Sequence, residues 1–177
     1  MFEKVLLNGS YQDMFSYLDP YGYLKNGKLH DRVCIGTALT GIMDRYDDPV
    51  GLLVCRVTAA GLVIEWVFVD PSWRFKGIGT GLVNSVLEES LKRGFDKFYA
   101  YTEAFDSRSK VCPGELDFLG AYNMERVKEN KNTAKLYRTL IPKQKEGAFL
   151  YCADVRECFE RIRSAVILDD ILRGVSS

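Results

Sequence analysis

Apolar and polar positions divide the chain into stretches of different period. From about Ala38 the pattern is that of strands. Ala38-Leu39-Thr40-Gly41-Ile42-Met43 leads into the turn cluster Asp44-Arg45-Tyr46-Asp47-Asp48-Pro49. Val50-Gly51-Leu52-Leu53-Val54-Cys55-Arg56-Val57 makes the next strand, and Ala59-Ala60-Gly61 turns into Leu62-Val63-Ile64-Glu65-Trp66-Val67-Phe68-Val69. Short β-branched and aromatic runs bounded by Gly, Pro and Asp predict an antiparallel meander. The period then changes. Leu82, Val83, Val86, Leu87 and Leu91 recur at helical spacing, and Gly94 stands where such a helix ends. Lys97-Phe98-Tyr99-Ala100-Tyr101-Thr102 reads as a strand again. A helical crossover makes it parallel to Leu62–Val69.

The flanks are less regular. In residues 1–31, Asn8 or Ser10 can cap a short helix running to about Leu18, which Asp19-Pro20 breaks. The aromatic residues there suit a helix packed on the sheet or the wall of a pocket. Residues 103–131 are polar and broken by Cys112-Pro113-Gly114 and Gly120. Thr133–Ile141 places Ala134, Tyr137, Leu140 and Ile141 on one helical face, and Pro142 ends it. Gly147–Cys152 reads as a strand. Asp154-Val155-Arg156-Glu157 has capping-box spacing and opens a C-terminal helix with Val155, Cys158, Phe159 and Ile162 inward.

Between the Leu62–Val69 strand and the following helix lies Asp70-Pro71-Ser72-Trp73-Arg74-Phe75-Lys76-Gly77-Ile78-Gly79-Thr80-Gly81. A helix start leaves backbone N–H groups without intrahelical partners, and the aligned peptide dipoles make it attractive to anions. Gly77 and Gly79 let a ligand approach the main chain closely. Arg74 and Lys76 add positive charge. The stretch reads as a diphosphate cradle built on Arg74, Phe75, Lys76, Gly77, Ile78, Gly79 and Thr80. It is not a P-loop, since no G-x-x-x-x-G-K-[ST] string exists. It is not a dinucleotide fingerprint either, because the third glycine falls one position early.

What fits is R-x-x-G-x-G directly behind a V-x-V-D-P strand end. From Leu62 to Arg93 the chain resembles motif A of the GCN5-related N-acetyltransferase (GNAT) family, consensus Q/R-x-x-G-x-G/A. The resemblance implies an α/β fold: a mixed, largely antiparallel central sheet with flanking helices and a splayed parallel strand pair. It implies acetyl transfer from acetyl-CoA, as acyl-donor substrate, to an amine by direct attack in a ternary complex. Val67, Phe68 and Val69 would lie along the pantetheine and thioester. Glu65, the only carboxylate in its apolar strand, is the candidate general base; the other reading is an outward, solvated Glu65. Simple alternation puts Glu65 on the face of Val67 and Val69, opposite Ile64, Trp66 and Phe68, unless a bulge intervenes.

In proteins like this a tyrosine on the last helix reprotonates the thiolate, and two threadings compete for that helix. In the favoured one, Asn132–Leu140 resembles the N-x-x-A-x-x-x-Y-x-x-L-G-F helix, one residue short from Asn132 and with Ile141-Pro142 in place of Gly-Phe; residues 103–131 are an insertion, Tyr137 is the acid and Asn132 joins the cofactor-binding set. In the other, Glu115–Tyr122 is that helix, with Leu119-Gly120 as its L-G pair and Tyr122 as the hydroxyl. Tyr137 as a plain core tyrosine stays open under either.

Composition narrows this further. The 177 residues fit one domain, and 47% apolar content supports a sizeable core. Lys+Arg and Asp+Glu balance at 24 each, which speaks against nucleic acid or an anionic membrane as partner. No apolar run reaches the ~18 residues of a membrane span, and the N-terminus lacks a signal-peptide pattern. Five cysteines without a C-x-x-C, and a single histidine, His30, point to free thiols in a cytoplasmic protein and no metal site. The expected partner is a small-molecule or peptide amine, with a homodimer possible. The alternative class is a catalytically silent acyl-CoA-binding module, which needs the cradle but neither Glu65 nor Tyr137.

Overall fold

The computed structural model describes residues 2–6, 15, 18, 32–39, 48–101, 120–143 and 148–174. Its strands are β1 (Phe2–Leu6), β2 (Arg32–Leu39), β3 (Asp48–Thr58), β4 (Gly61–Val69), β5 (Lys97–Tyr101), β6 (Glu125–Arg126) and β7 (Leu150–Asp154). Its helices are α1 (Ile78–Lys92), α2 (Ala134–Leu140) and α3 (Val155–Gly174). The strands form one sheet in the order β1-β2-β3-β4-β5-β7-β6. Every pairing is antiparallel except β4 with β5. The mixed α/β sheet with a single parallel pair is the architecture expected from the sequence.

The two faces of the sheet are legible in the alternation of β5. Phe98 and Ala100 point to the face covered by α1 and α3, in one cluster with Leu62, Ile64, Leu82, Val86 and Val155. Tyr99 and Tyr101 point to the other face and pack with Val63, Tyr137, Leu140 and Leu150. Hence α2 covers the face away from α1.

Helix ends follow their local chemistry. Gly94, at φ 72°, closes α1: its amide bonds Leu91 O at 3.0 Å and the Phe95 amide bonds Ser90 O at 2.9 Å, a Schellman pair. Asp154 caps α3, its Oδ1 accepting from the Glu157 amide at 3.0 Å. The C-terminal helix packs on this chain's own sheet through Val155, Cys158 and Ile162.

Three expectations are corrected. The strand pattern begins earlier than Ala38, with β1 and β2, because β1 pairs along β2 from Phe2↔Leu39 to Leu6↔Ile35. The helix at 134–140 is present, but β6 precedes it and pairs with β7 behind it, so α2 lies in the β6–β7 connection. The expected insertion at 103–131 therefore contains a sheet strand. A two-residue edge strand of charged residues carries no apolar alternation to reveal it. A short helical segment at Gly120-Ala121 ends just before β6, as the second threading places it. Calls on the N-terminal helix start, the Asp44–Asp47 turn, His30 and Cys112 fall outside the described residues.

At the base of the sheet, Arg56 of β3 donates through Nε to Glu65 Oε1 at 2.7 Å. Its other nitrogens donate to Thr139 O at 3.1 Å and Leu140 O at 2.7 Å, at the end of α2. Glu65 is 4% exposed, so losing the guanidinium strands a buried charge and two helix-end carbonyls. Arg56→Met is expected to destabilise the fold by about 3–5 kcal/mol in urea unfolding, with Arg56→Met/Glu65→Leu recovering much of it. Burial also pushes the Cys158 thiol up to about 11, from 9.0, against the lowering effect of Arg161. The unfolded chain releases this proton first, so the contribution of the buried thiol is complete below pH 9 and fades as pH rises toward 11. Cys158→Ala should flatten the alkaline limb of a stability–pH curve.

Candidate functional site

The site begins with an extra residue in β4. Register runs Leu53↔Val67, Val54↔Trp66, then Cys55↔Ile64, so Glu65 is the bulged residue. The bulge reverses the facing of the strand. Leu62 and Ile64 belong to the α1-side core, and beyond the bulge Val67 and Val69 pack against that same core. Glu65 turns instead to the α2 face, where Arg56 meets it; Arg56 stands opposite Val63, a residue of that face. Simple alternation, which grouped Glu65 with Val67 and Val69, is thus corrected. Trp66 and Phe68 follow on the side away from Val67, their rings stacked at 6.3 Å, with Trp66 Nε1 donating to Leu18 O at 3.3 Å.

Beyond the bulge, no strand pairs with the outer edge of β4 among the described residues, which leave out 102–119. Parallel pairing with β5 spans only Leu62↔Phe98, Val63↔Tyr99 and Ile64↔Ala100. The Asp70 amide donates to Val50 O at 2.8 Å, toward β3. Strand residues turn their N–H and C=O groups to alternate sides. Phe68 therefore addresses β3, whereas Val67 and Val69 present their main-chain groups to the β5 side, where described pairing has stopped. The Arg74 side chain confirms the direction: its Nε reaches Val69 O at 3.1 Å, and its guanidinium lies 5.9 Å from the Phe68 ring centroid.

Past Val69 the chain is braced into a loop. Asp70 Oδ1 accepts from the Ser72 amide at 2.9 Å and Asp70 O accepts from the Trp73 amide at 2.8 Å, closing a 3-10 turn over Pro71–Trp73. Phe75 and Gly77 both adopt positive φ, 62° and 78°. Turns of this kind can aim neighbouring N–H groups into one concavity that holds anions. Gly77 is the N-cap of α1 without a side-chain cap, and Gly81 N donates to Gly77 O at 2.9 Å, the first helical bond. The amides of Ile78, Gly79 and Thr80 precede it and have no intrahelical acceptor. A Cβ built on Gly77 or Gly81 meets nothing within 4 Å, and one on Gly79 meets only Val69 Cγ2 at 3.8 Å. The cradle is open space bounded by amides. Lys76 Nζ sits 4.1 Å from the Trp73 ring centroid at its edge, and Phe75 is 93% exposed. A bulky residue at positive φ costs about 1 kcal/mol or more, strain of the kind that accumulates at functional loops.

The structure thus brings Val67, Val69, Arg74, Phe75, Lys76, Gly77, Ile78, Gly79 and Thr80 together at one end of β4, with Phe68 beneath. Asn132 does not join them. It is exposed in the turn before α2, on the opposite face, where its amide donates to Asn130 Oδ1 at 2.9 Å. Tyr137 is buried in the α2-side cluster and donates its hydroxyl proton to Val127 O. It stands on α2, the helix between β6 and β7. Tyr122 lies on the α1 face, its hydroxyl 3.2 Å from Thr80 O and 3.0 Å from Asn84 Oδ1. Burial, with a smaller contribution from Cys158, raises its pKa far above the usual tyrosine range. It is a brace for the first turn of α1 and a poor acid. In the second threading the motif's tyrosine position, three residues before Leu119-Gly120, is Leu116.

Sequence reasoning missed Arg56. Its signal was available: it is the one charge in the apolar run Val50–Val57, as Glu65 is in the next strand. Two lone opposite charges in neighbouring buried strands predict a pair.

Known proteins share this architecture. A GNAT-family acetyltransferase from Staphylococcus aureus Mu50 superposes with a TM-score of 0.62 at 16% identity, over 88% of this chain and 99% of that one. The ribosomal-protein-S18-alanine N-acetyltransferase of Escherichia coli gives 0.59 at 12% identity, over 88% and 94%. A Bacillus subtilis acetyltransferase solved in complex with CoA gives 0.57 at 17% identity, over 87% and 99%. No curated protein sequence matches. These likenesses establish the fold. The sequence model described as "Acetyltransferase (GNAT) family" matches residues 6–110, more than half of the chain and all of the strand–loop–helix unit. On that match, together with the bulged strand and open cradle it contains, the chain belongs to the GNAT family of acetyltransferases.

Proposed function

We propose that the protein transfers an acetyl group from acetyl-CoA to an amine by direct attack within a ternary complex. The observation that carries this is the continuity of strand edge and cradle. The amides of Ile78 to Thr80 suit a diphosphate, and the outward main chain of Val69 and Val67 leads from it along the outer edge of β4. Pantetheine, itself an amide chain, can add to such an edge as a short strand would. A Val67 amide beside the thioester would stabilise the oxyanion that develops as the amine attacks.

In the reaction the amine nitrogen forms a bond to the carbonyl carbon and the C–S bond breaks. An alkyl ammonium with a pKa near ~10 must first lose a proton. Glu65 is the proposed base, direct or through water. It sits where β4 parts from β5, on the face opposite the α1-side core. Tyr137 is the proposed proton donor to the thiolate, packed in one cluster with Tyr101, the last described residue of β5. To act it must exchange the Val127 carbonyl for the sulfur. Holding donor and acceptor together supplies much of the acceleration.

Gly79→Asp tests the cradle cleanly. A side chain there meets only an ordinary contact, and an acidic residue in the first helical turn suits the dipole. The variant should melt within a few degrees of the parent and lose acetyl-CoA binding by roughly a hundredfold or more in calorimetry. Undiminished affinity would overturn the reading. For the proton transfers, Glu65→Gln should lower kcat by roughly 10²-fold. Tyr137→Phe should lower kcat with little change in KM for acetyl-CoA; unchanged kcat would hand that proton to water. A silent module would bind the coenzyme and acetylate no amine in a broad panel.

A further inference from the structure

The helix α2, carried between β6 and β7, walls a second cavity. Its volume is ≈ 710 Å³, and Arg126, Glu129, Tyr137, Arg138, Lys143 and Phe149 are among its lining. That volume falls in the range of small-molecule sites, about 300–1,000 Å³. Three of these side chains are cations and one is a carboxylate, in a chain whose formal net charge is zero. The Arg126 guanidinium is held 3.5 Å from the Phe149 ring centroid, which fixes its plane before any ligand arrives. Phe149 itself is 43% exposed, so the ring offers an apolar surface to the cavity.

The position of this cavity matters as much as its lining. Leu150 pairs with Tyr101 at the upper end of β5, and the Val127 amide donates to Leu150 O at 2.9 Å, so β6, β7 and β5 end together. This is the end at which β5 ceases to pair with β4. Tyr137, a wall of the cavity, packs in one cluster with Tyr101 and Val63. The cavity therefore lies at the β6 edge of the sheet: Tyr137 joins it to Tyr101 on one face, while Arg126, paired opposite Tyr151, belongs to the face covered by α1 and α3.

We propose that this cavity is the acceptor site, and that it selects small amines bearing an anionic group, a carboxylate or a phosphate. The inference rests on the acetyl-transfer reading above for its use but not for its detection. Arg126, Arg138 and Lys143 receive the anionic oxygens, arginine doing so with paired N–H donors. Phe149 and Ile141 cover the carbon chain, and the amine end points toward Tyr137 and the β4 edge. Glu129 at the rim repels a second anionic group, which favours acceptors with one such group.

The test uses matched amines with and without the anionic group: 4-aminobutanoate against butylamine, and phosphoethanolamine against ethanolamine. Binding to the full chain is followed by NMR of the Phe149 and Tyr137 rings and by calorimetry, with and without CoA. The anionic member of at least one pair should bind roughly tenfold or more tightly and shift both rings, and the pair that responds identifies carboxylate or phosphate. Arg126→Gln/Arg138→Gln should abolish that preference and leave acetyl-CoA affinity unchanged, since both residues are exposed and neither belongs to the loop at 74–80. Equal binding within both pairs, no binding by any of them, or a preference that survives the double variant would overturn the proposal. Acetylation of amines without regard to charge would sink this proposal alone. Failure to bind acetyl-CoA would sink the acetyl-transfer reading, while the ring shifts would still decide what the cavity holds.

Discussion

A strand can serve one neighbour or two, and β4 does both in succession. Up to Ile64 it is an ordinary interior strand with partners on either side. Past Glu65 it keeps β3, and among the described residues no strand pairs with its outer edge. A buried strand edge is costly unless something pairs with it. The extra residue at Glu65 makes this arrangement possible. It rotates the later part of the strand so that Val67 and Val69 still contribute to the α1-side core while their amides and carbonyls look outward. Both the donor cradle and the base candidate depend on this one change of facing.

Much of this was legible beforehand. Motif A is contiguous, and its parts are local: a β-branched run, a Pro break, glycines, a helix-period run. Local patterns report local structure, so the β4–loop–α1–β5 unit and the cradle could be read directly. The bulge could not, because it is a statement about register between two strands, and periodicity within one strand does not encode it. The expectation for Glu65 failed on that point, and the pair of lone charges at 56 and 65 was the clue that could have corrected it.

The region after β5 was read less well, for a different reason. Helical period at 134–140 identified a helix correctly, but the order of elements decides which helix it is. That order turned on β6, two charged residues whose strand character exists only through pairing with β7. Nothing in Glu125-Arg126 taken alone suggests a strand. The tyrosine assignment followed the helix, so Tyr137 is met on α2 and Asn132 in the turn before it, between β6 and β7.

Arg56 spends its whole guanidinium on two distant parts of the chain: the Glu65 carboxylate and the terminal carbonyls of α2. Those carbonyls close the helix that walls the cationic cavity. A shift of α2 therefore cannot occur without drawing the arginine away from the glutamate or dragging it along. The last turn of α2 and the bulge of β4 are thus held in register by a single planar side chain.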